Sequence, residues 1–176
     1  MGDIHTDTRI KNVDRKIVNN RALSVRRTKN YKLLSKIIFN NEIYPGLLCI
    51  NPEDVSTLFN KDLTIHKFEE GAPEILNNDS MIYYLLEVDQ KIAGFCAWML
   101  LSNQKNYVVD IGIYKKFRGK IGYHLGEMSL QKFKREVSDD IVYASVKEGN
   151  KPSLFYSQSM GFKKVFNKNG FICLGA

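Results

Sequence analysis

The sequence predicts an α+β fold with three layers, in which about four helices flank a central sheet of about six to seven strands. Two observations support this prediction. Residues 81–88 and 91–101 are near-continuous apolar runs joined by two polar residues, which is typical of a hairpin whose strands are buried on both faces. Segments 31–39 and 121–137 carry apolar residues at helical spacing and can cover those two faces. At 176 residues the chain is expected to form one domain.

The first half of the chain begins with a polar segment. Residues 1–21 are basic and lack periodicity, so we interpret them as an extended or mobile arm that precedes a single domain at 22–176. Weak alternation at 22–27 predicts a first strand, and the segment at 31–39 predicts a first helix. A second helix is predicted from Asn51, because a proline and two acidic residues follow in its first turn.

The second half continues the sheet. Residues 107–113 form a third apolar run, which predicts another buried strand directly before the helix at 121–137. The last predicted elements are a strand at 140–146, a helix at 151–159 and a terminal hairpin of strands at 162–166 and 171–174.

Charge and cysteine content limit the classes of function. Residues 1–36 hold ten Lys or Arg and three Asp, whereas the rest of the chain holds sixteen residues of each sign. Such an arm can bind nucleic acid, but no aromatic residue interleaves its charges before Tyr31, so we favour a solvated arm. The widely spaced Cys49, Cys96 and Cys173 indicate reduced thiols in a cytoplasmic protein. No metal site, signal peptide or membrane span is expected.

The stretch 110–128 has the layout of an anion-binding site. An apolar strand leads into a basic turn containing Arg118, Gly119 and Lys120, and a helix begins near Ile121. Glycine lets the backbone approach an anion closely, and the first N–H groups of a helix point toward it. The same pattern fits an ordinary basic surface loop, so from these residues alone both interpretations stay open.

Three segments resemble the GNAT superfamily of N-acetyltransferases. Ile113 lies five residues before Arg118, which begins Arg-Gly-Lys-Ile-Gly, one residue shorter than the family's Arg-Gly-x-Gly-x-Gly coenzyme A loop. Residues 150–162, NKPSLFYSQSMGF, are similar to the family's Asn-x-x-(Ser/Ala)…Tyr-x-x-x-Gly-Phe helix, and residues 85–98, LLEVDQKIAGFCAW, to its first central hairpin. The resemblance implies a GNAT-like, mixed but mostly antiparallel sheet and acetyl-CoA as co-substrate.

The resemblance also implies site residues. Coenzyme contacts are expected from the third central strand, the basic turn with the helix start, and the start of the following helix: Ile111, Gly112, Ile113, Arg118, Gly119, Lys120, Ile121, Gly122, Tyr123, Asn150 and Ser153. The general base would be a carboxylate, either Asp110 on that strand or Glu87 on a neighbouring one. Ser157 occupies the position of the family's general-acid tyrosine and Tyr156 lies one residue earlier, so the leaving thiolate would take its proton from one of them or from water.

Three functions are compatible with these residues. We predict first an acetyl-CoA-dependent N-acetyltransferase that modifies a primary amine of a small molecule or a protein. The shortened loop and Ser157 also fit a GNAT-fold protein that binds coenzyme A without turnover, as a sensor or interaction module. The basic arm also fits a relative that modifies nucleic acid. A homodimer is compatible with all three, and no membrane association is expected.

Overall fold

The computed structural model describes residues 13–38, 76–77, 79–101 and 105–176. Its strands are β1 Val13–Val18, β2 Arg21–Thr28, β3 Met81–Val88, β4 Lys91–Leu100, β5 Tyr107–Ile113, β6 Val142–Lys147, β7 Lys163–Lys168 and β8 Phe171–Gly175. The α-helices of the described ranges are α1 Tyr31–Ile38, α2 Lys120–Glu136 and α3 Lys151–Ser159. All eight strands join one sheet in the order β1-β2-β3-β4-β5-β6-β8-β7. Neighbouring strands are antiparallel except for β5 and β6, so the predicted mixed, mostly antiparallel sheet is confirmed.

The sheet has one strand more than the six to seven predicted, and the extra strand comes from the segment interpreted as an arm. The chain turns at Asn19 and Asn20, whose φ angles of 51° and 59° fit a two-residue type I′ turn. β1 then pairs with β2 along its whole length. Residues 13–21 are therefore part of the sheet, and the extended or mobile arm predicted to precede the domain does not include them. Residues 1–12 and the helix predicted from Asn51 lie outside the described residues.

A helix packs on each face of the sheet. On one face α2 packs against the larger core, where the Trp98 and Phe133 rings stack with their centroids 4.2 Å apart. On the other face α1 packs through Leu34 and Ile37 against residues of β3 and β4. The near-continuous apolar sequence of β3 and β4 follows from this arrangement, because both faces of these strands are covered.

A buried lysine fixes β1 to α2. Lys132 is fully buried, and its ammonium group donates to Glu136 Oε1 at 2.6 Å and to Asp14 Oδ1 of β1 at 3.3 Å. Arg135 donates to the other Asp14 oxygen at 2.6 Å. Burying an ammonium group is costly unless it is paired, so this contact fixes the position of β1 on the helix.

Both cysteines that the structure describes are free thiols, with Cys96 buried and Cys173 half-buried, while Cys49 lies outside the described residues. In the same ranges, no three His, Cys, Asp or Glu side chains are grouped closely enough to hold a metal ion. No helix of the described part of the chain has the length and apolarity to span a bilayer.

Candidate functional site

The parallel strands at the centre of the sheet separate partway along their length. β5 and β6 pair as far as Val109 and Ala144, and the described sheet shows no pairing between them beyond that point. Residues 110–113 stay paired with β4, and residues 145–147 stay paired with β8. The two strands therefore enclose a gap at their carboxyl ends, where open sheets with parallel strands commonly bind ligands.

Backbone groups of β5 line this gap. The Tyr114 N–H donates to a β4 carbonyl at 2.9 Å, so by the alternation of an extended strand the N–H groups of Ile111 and Ile113 point away from β4 and toward the gap. The Ile111 N–H donates to the Asp110 carboxylate. The Ile113 carbonyl accepts a hydrogen bond from Arg118 Nε at 2.9 Å, which fixes the arginine at the mouth of the gap.

Gly112 lies between these two isoleucines and faces the other way. A Cβ atom placed on Gly94 of β4 would overlap the Gly112 carbonyl oxygen, so the two strands approach closely here only because residue 94 is a glycine. The Gly112 N–H also points toward β4 by the same alternation. The strand donors that face the gap are therefore those of the two flanking isoleucines.

The gap opens onto the beginning of α2. A 3₁₀ turn at Lys115–Phe117 leads to Gly119, the N-cap residue, whose φ of 74° favours glycine. Among the described residues no side chain caps this helix, and its first hydrogen bond runs from the Tyr123 N–H to the Gly119 carbonyl at 2.9 Å. The N–H groups of residues 120–122 thus have no partner within the helix, and a Cβ at Gly119 would meet no atom within 4 Å. Such a helix start can hold phosphate oxygens.

α3 begins at the same edge of the sheet, directly after β6. Asn150 caps it, with Oδ1 accepting a hydrogen bond from the Ser153 N–H at 3.3 Å. Tyr156 Oη donates to the Gly122 carbonyl at 2.8 Å, which ties α3 to the first turn of α2. The packing is tight, since a Cβ on Gly126 would overlap the Tyr156 hydroxyl. Tyr156 therefore joins the two helices whose first turns border the gap.

The two candidate proton donors on α3 have different surroundings. Burial raises the pKa of Tyr156, and its proton is already shared with a backbone carbonyl, so its phenol is a weak acid in this position. Ser157 is buried near the end of α3, where its carbonyl accepts the Phe162 N–H at 3.2 Å.

The two candidate carboxylates also differ. Burial raises the pKa of Asp110 to about 6, and the hydrogen bond from the Ile111 N–H partly offsets this rise. Glu87 Oε1 accepts from Arg26 Nε, and its Oε2 accepts from Ser24 Oγ, both at 2.9 Å. Glu87 is thus already hydrogen-bonded through both oxygens on β3, two strands away from β5.

Most of the residues predicted for the site lie around this one gap: those of β5, of the basic turn with the α2 start, and of the α3 start. Glu87 lies apart from them. The bond from the Arg118 side chain to the Ile113 carbonyl was not predicted. The five-residue spacing between these residues is visible in the sequence, but a spacing does not say which atoms meet.

Comparisons with known proteins identify the family of the chain. The sequence profile of the Acetyltransferase (GNAT) family matches residues 51–162. No curated protein matches the chain significantly.

Solved structures resemble the fold over most of the chain. The N-acetyltransferase PseH of Campylobacter jejuni in complex with acetyl coenzyme A is 14% identical, with a TM-score of 0.56 over 88% of this chain and 97% of that one. A chimera of the spermidine N-acetyltransferase SpeG from Vibrio cholerae and hSSAT is 13% identical, with a TM-score of 0.60 over 87% and 93%. An acetyltransferase from Thermus thermophilus is 16% identical, with a TM-score of 0.58 over 88% and 96%. At these identities the likeness shows the fold alone.

Proposed function

The chain belongs to the GNAT acetyltransferase family, and from this premise we propose that it is an acetyl-CoA-dependent N-acetyltransferase that modifies a primary amine. The observation that carries the proposal is the gap between β5 and β6, because it opens directly onto the uncapped start of α2. A long ligand with an anionic end and an amide-bearing arm fits such a site, with its phosphates at the helix start and its arm in the gap.

The residues around the gap fit coenzyme A. The N–H groups of residues 120–122 and the open space beside Gly119 would hold the pyrophosphate, and Arg118 would add positive charge at the mouth of the gap. The amides of Ile111 and Ile113 face the place where a pantetheine arm would run. When bound, the coenzyme supplies the activated acyl group and a sulfur leaving group.

Asp110 is our choice for the general base. With a pKa near 6, its carboxylate is ionised at neutral pH, yet it binds a proton more strongly than an ordinary aspartate does. It can therefore take a proton from an acceptor amine that lies beside the gap. Glu87 suits this role less well, because Arg26 and Ser24 occupy both of its oxygens.

The surroundings of Tyr156 favour a second candidate function. Its hydroxyl is bonded to the Gly122 carbonyl, and Ser157 stands where the family's acid is expected, so the described site offers no strong acid for a leaving thiolate. A chain that binds coenzyme A without turnover would have the same features. In the active protein, the proton would come from water or through the Ser157 hydroxyl.

Two measurements test these functions. Acetyl-CoA should raise the melting temperature in a concentration-dependent way, because it binds the folded chain; at one hundred times its Kd the stabilisation would be about 2.7 kcal/mol. Release of free thiol from acetyl-CoA with a panel of primary amines would establish turnover. A melting-temperature rise without thiol release would favour the binding module, and the absence of both would refute the proposal.

A further inference from the structure

In the part of the chain that the structure describes, one buried tyrosine hydroxyl has no hydrogen-bond partner. Tyr83 of β3 is 2% exposed, and its Oη is one of two buried side-chain polar atoms of the described residues without a partner, the other being Trp98 Nε1 on the opposite face. A buried polar group without a partner costs about 1–3 kcal/mol. A phenylalanine at this position would avoid that cost, so the oxygen itself requires an explanation.

The strand register places Tyr83 in one row with Asp110. Tyr83 pairs with Ala97 of β4, and Ala97 pairs with Asp110 of β5. Directly paired residues of neighbouring strands point to the same face, so all three share the α1 face of the sheet. Neighbouring strands lie close to 5 Å apart, which puts the backbones of Tyr83 and Asp110 about 10 Å apart. The residue between them is the smallest of the three, so no large side chain separates Tyr83 from Asp110 along this row.

The row leads from the interior of the protein to the gap. Tyr83 is 2% exposed, Ala97 is 5% exposed, and Asp110 is half-buried at the point where β5 leaves β6. Most neighbours of Tyr83 are apolar or aromatic: Leu85 and Phe95 belong to the same core cluster, and the Tyr31 ring lies edge-on at 6.2 Å. The polar neighbour is Thr28, which pairs with Tyr83 from β2 and whose Oγ1 accepts the Asn30 N–H. Thr28 Oγ1 already accepts a hydrogen bond, so the Tyr83 hydroxyl is the group in this row that is left to accept one from a ligand.

We propose that the row of Tyr83, Ala97 and Asp110 is the acceptor-amine subsite, with Tyr83 as a positioning residue. This inference rests on the proposed function. Tyr83 Oη accepts one N–H hydrogen bond from the acceptor nitrogen, and the Asp110 carboxylate takes the proton that this nitrogen must lose. The two groups hold the nitrogen over Ala97, so that its lone pair is directed toward the gap. The amine also gives the phenol oxygen the partner that it lacks among the described residues.

The neighbouring tyrosine provides a matched control. Tyr84 follows in sequence, is also fully buried, and points to the α2 face, where its Oη donates to Glu136 Oε2 at 3.3 Å. Each of the substitutions Tyr83→Phe and Tyr84→Phe removes a single oxygen from a buried ring. The first removes a hydroxyl without a partner, and the second removes one that has a partner.

The experiment measures urea unfolding and steady-state kinetics for the wild type and both variants, with the best amine of the panel. We expect Tyr83→Phe to be at least as stable as wild type, to raise KM for the amine so that kcat/KM falls about tenfold, and to leave the acetyl-CoA affinity unchanged. We expect Tyr84→Phe to be less stable and to keep the wild-type KM for the amine.

The possible outcomes distinguish a failure of the subsite from a failure of the proposed function. If Tyr83→Phe keeps the wild-type KM and kcat for the amine while the wild type turns over, the subsite is refuted and the proposed function stands. A loss of stability in Tyr83→Phe similar to that of Tyr84→Phe would mean that the hydroxyl has a structural partner, which also overturns the inference. If the wild type acetylates no amine, the proposed function fails and this inference fails with it.

Discussion

Replacing Asp110 with asparagine should make the protein more stable and much less active. The substitution keeps the size of the side chain and an oxygen that can accept the Ile111 N–H, but it removes the charge. The pKa of Asp110 rises from 3.8 in its ordinary state to about 6 in the folded protein, mainly through burial. Because the folded chain holds this proton more tightly than the unfolded chain, the ionised carboxylate destabilises the fold.

The size of the effect follows from that difference in pKa. The penalty is absent well below pH 3.8, grows as the pH rises from 3.8 to about 6, and is constant above that. A shift of about two units corresponds to about 3 kcal/mol at pH 8 and to about half of that at pH 5. For a chain of this size, 3 kcal/mol corresponds to a rise in melting temperature of about 6–12 °C. Loss of a general base should lower kcat/KM by about 100-fold or more.

Urea unfolding at pH 5 and pH 8, together with thiol release over the same range, measures both effects. The matched control is Asp139→Asn, which makes the same chemical change on an exposed residue and should alter neither stability nor rate. Wild-type kcat/KM should fall below about pH 6, where Asp110 becomes protonated. Equal stability of Asp110→Asn and wild type at both pH values would refute the desolvation of this carboxylate, and retained activity would refute its role as base.

Two further substitutions test the coenzyme site and the β1 contact. Gly119→Asp should weaken acetyl-CoA binding at least tenfold, because it places a carboxylate beside the N–H groups of residues 120–122, where we propose that the pyrophosphate binds. The melting-temperature rise with acetyl-CoA measures this. Gly170→Asp is the control, because this glycine also has a positive φ and open surroundings but lies in the β7–β8 turn. Unchanged acetyl-CoA affinity in Gly119→Asp would show that the phosphates bind elsewhere. Lys132→Met should lower the free energy of unfolding by about 2–3 kcal/mol, because Asp14 and Glu136 lose their shared ammonium partner; urea unfolding tests it, and wild-type stability would contradict it.

The sequence predicts the sheet well where turns and apolar runs coincide. Three tight hairpins have positive φ at both turn residues: Asn19-Asn20, Asp89-Gln90 and Asn169-Gly170. Asp89-Gln90 joins two apolar strands and Asn169-Gly170 contains a glycine, and both hairpins were predicted. The first was missed because β1 and β2 are rich in charged residues and its turn residues, two asparagines, include no glycine.

The gap and the roles of individual side chains were harder to predict. Glu87 and Asp110 are both single acidic residues in apolar strands. Only the folded sheet shows that Glu87 lies opposite Ser24 and is bonded by Arg26, while Asp110 borders the gap. The sequence does not indicate a role for the Tyr83 hydroxyl, because tyrosine and phenylalanine are both common in apolar strands.

Part of the excess positive charge of the first 36 residues is paired with acidic residues in the folded protein. Arg21 is paired with Asp89, Arg26 with Glu87, and Lys16 with Glu127 at 3.4 Å. These partners lie 50 residues or more further along the chain, so counting charges by segment separates groups that the sheet brings together. Part of the basic segment is therefore neutralised by its own domain, which weakens the case for a nucleic-acid surface there.

The gap between β5 and β6 stays open because each of its strands is paired on its outer edge, and this arrangement links occupation of the gap to the pKa of Asp110. β5 is paired with β4 throughout, and β6 is paired with β8 from Tyr143 to Lys147, so neither strand can turn inward. The inner-edge N–H of Ile111 is satisfied by the Asp110 carboxylate, a bond that lowers the pKa of this group. A ligand carbonyl that accepted the same N–H would remove that bond, and Asp110 would become a stronger base once the gap is filled. The pH profile of kcat reports the pKa of the complex, and that of kcat/KM reports the pKa of the free protein. We therefore expect the inflection of the kcat profile at a higher pH than that of the kcat/KM profile. Coincident inflections would mean that the Ile111 N–H stays bonded to Asp110 when the gap is filled.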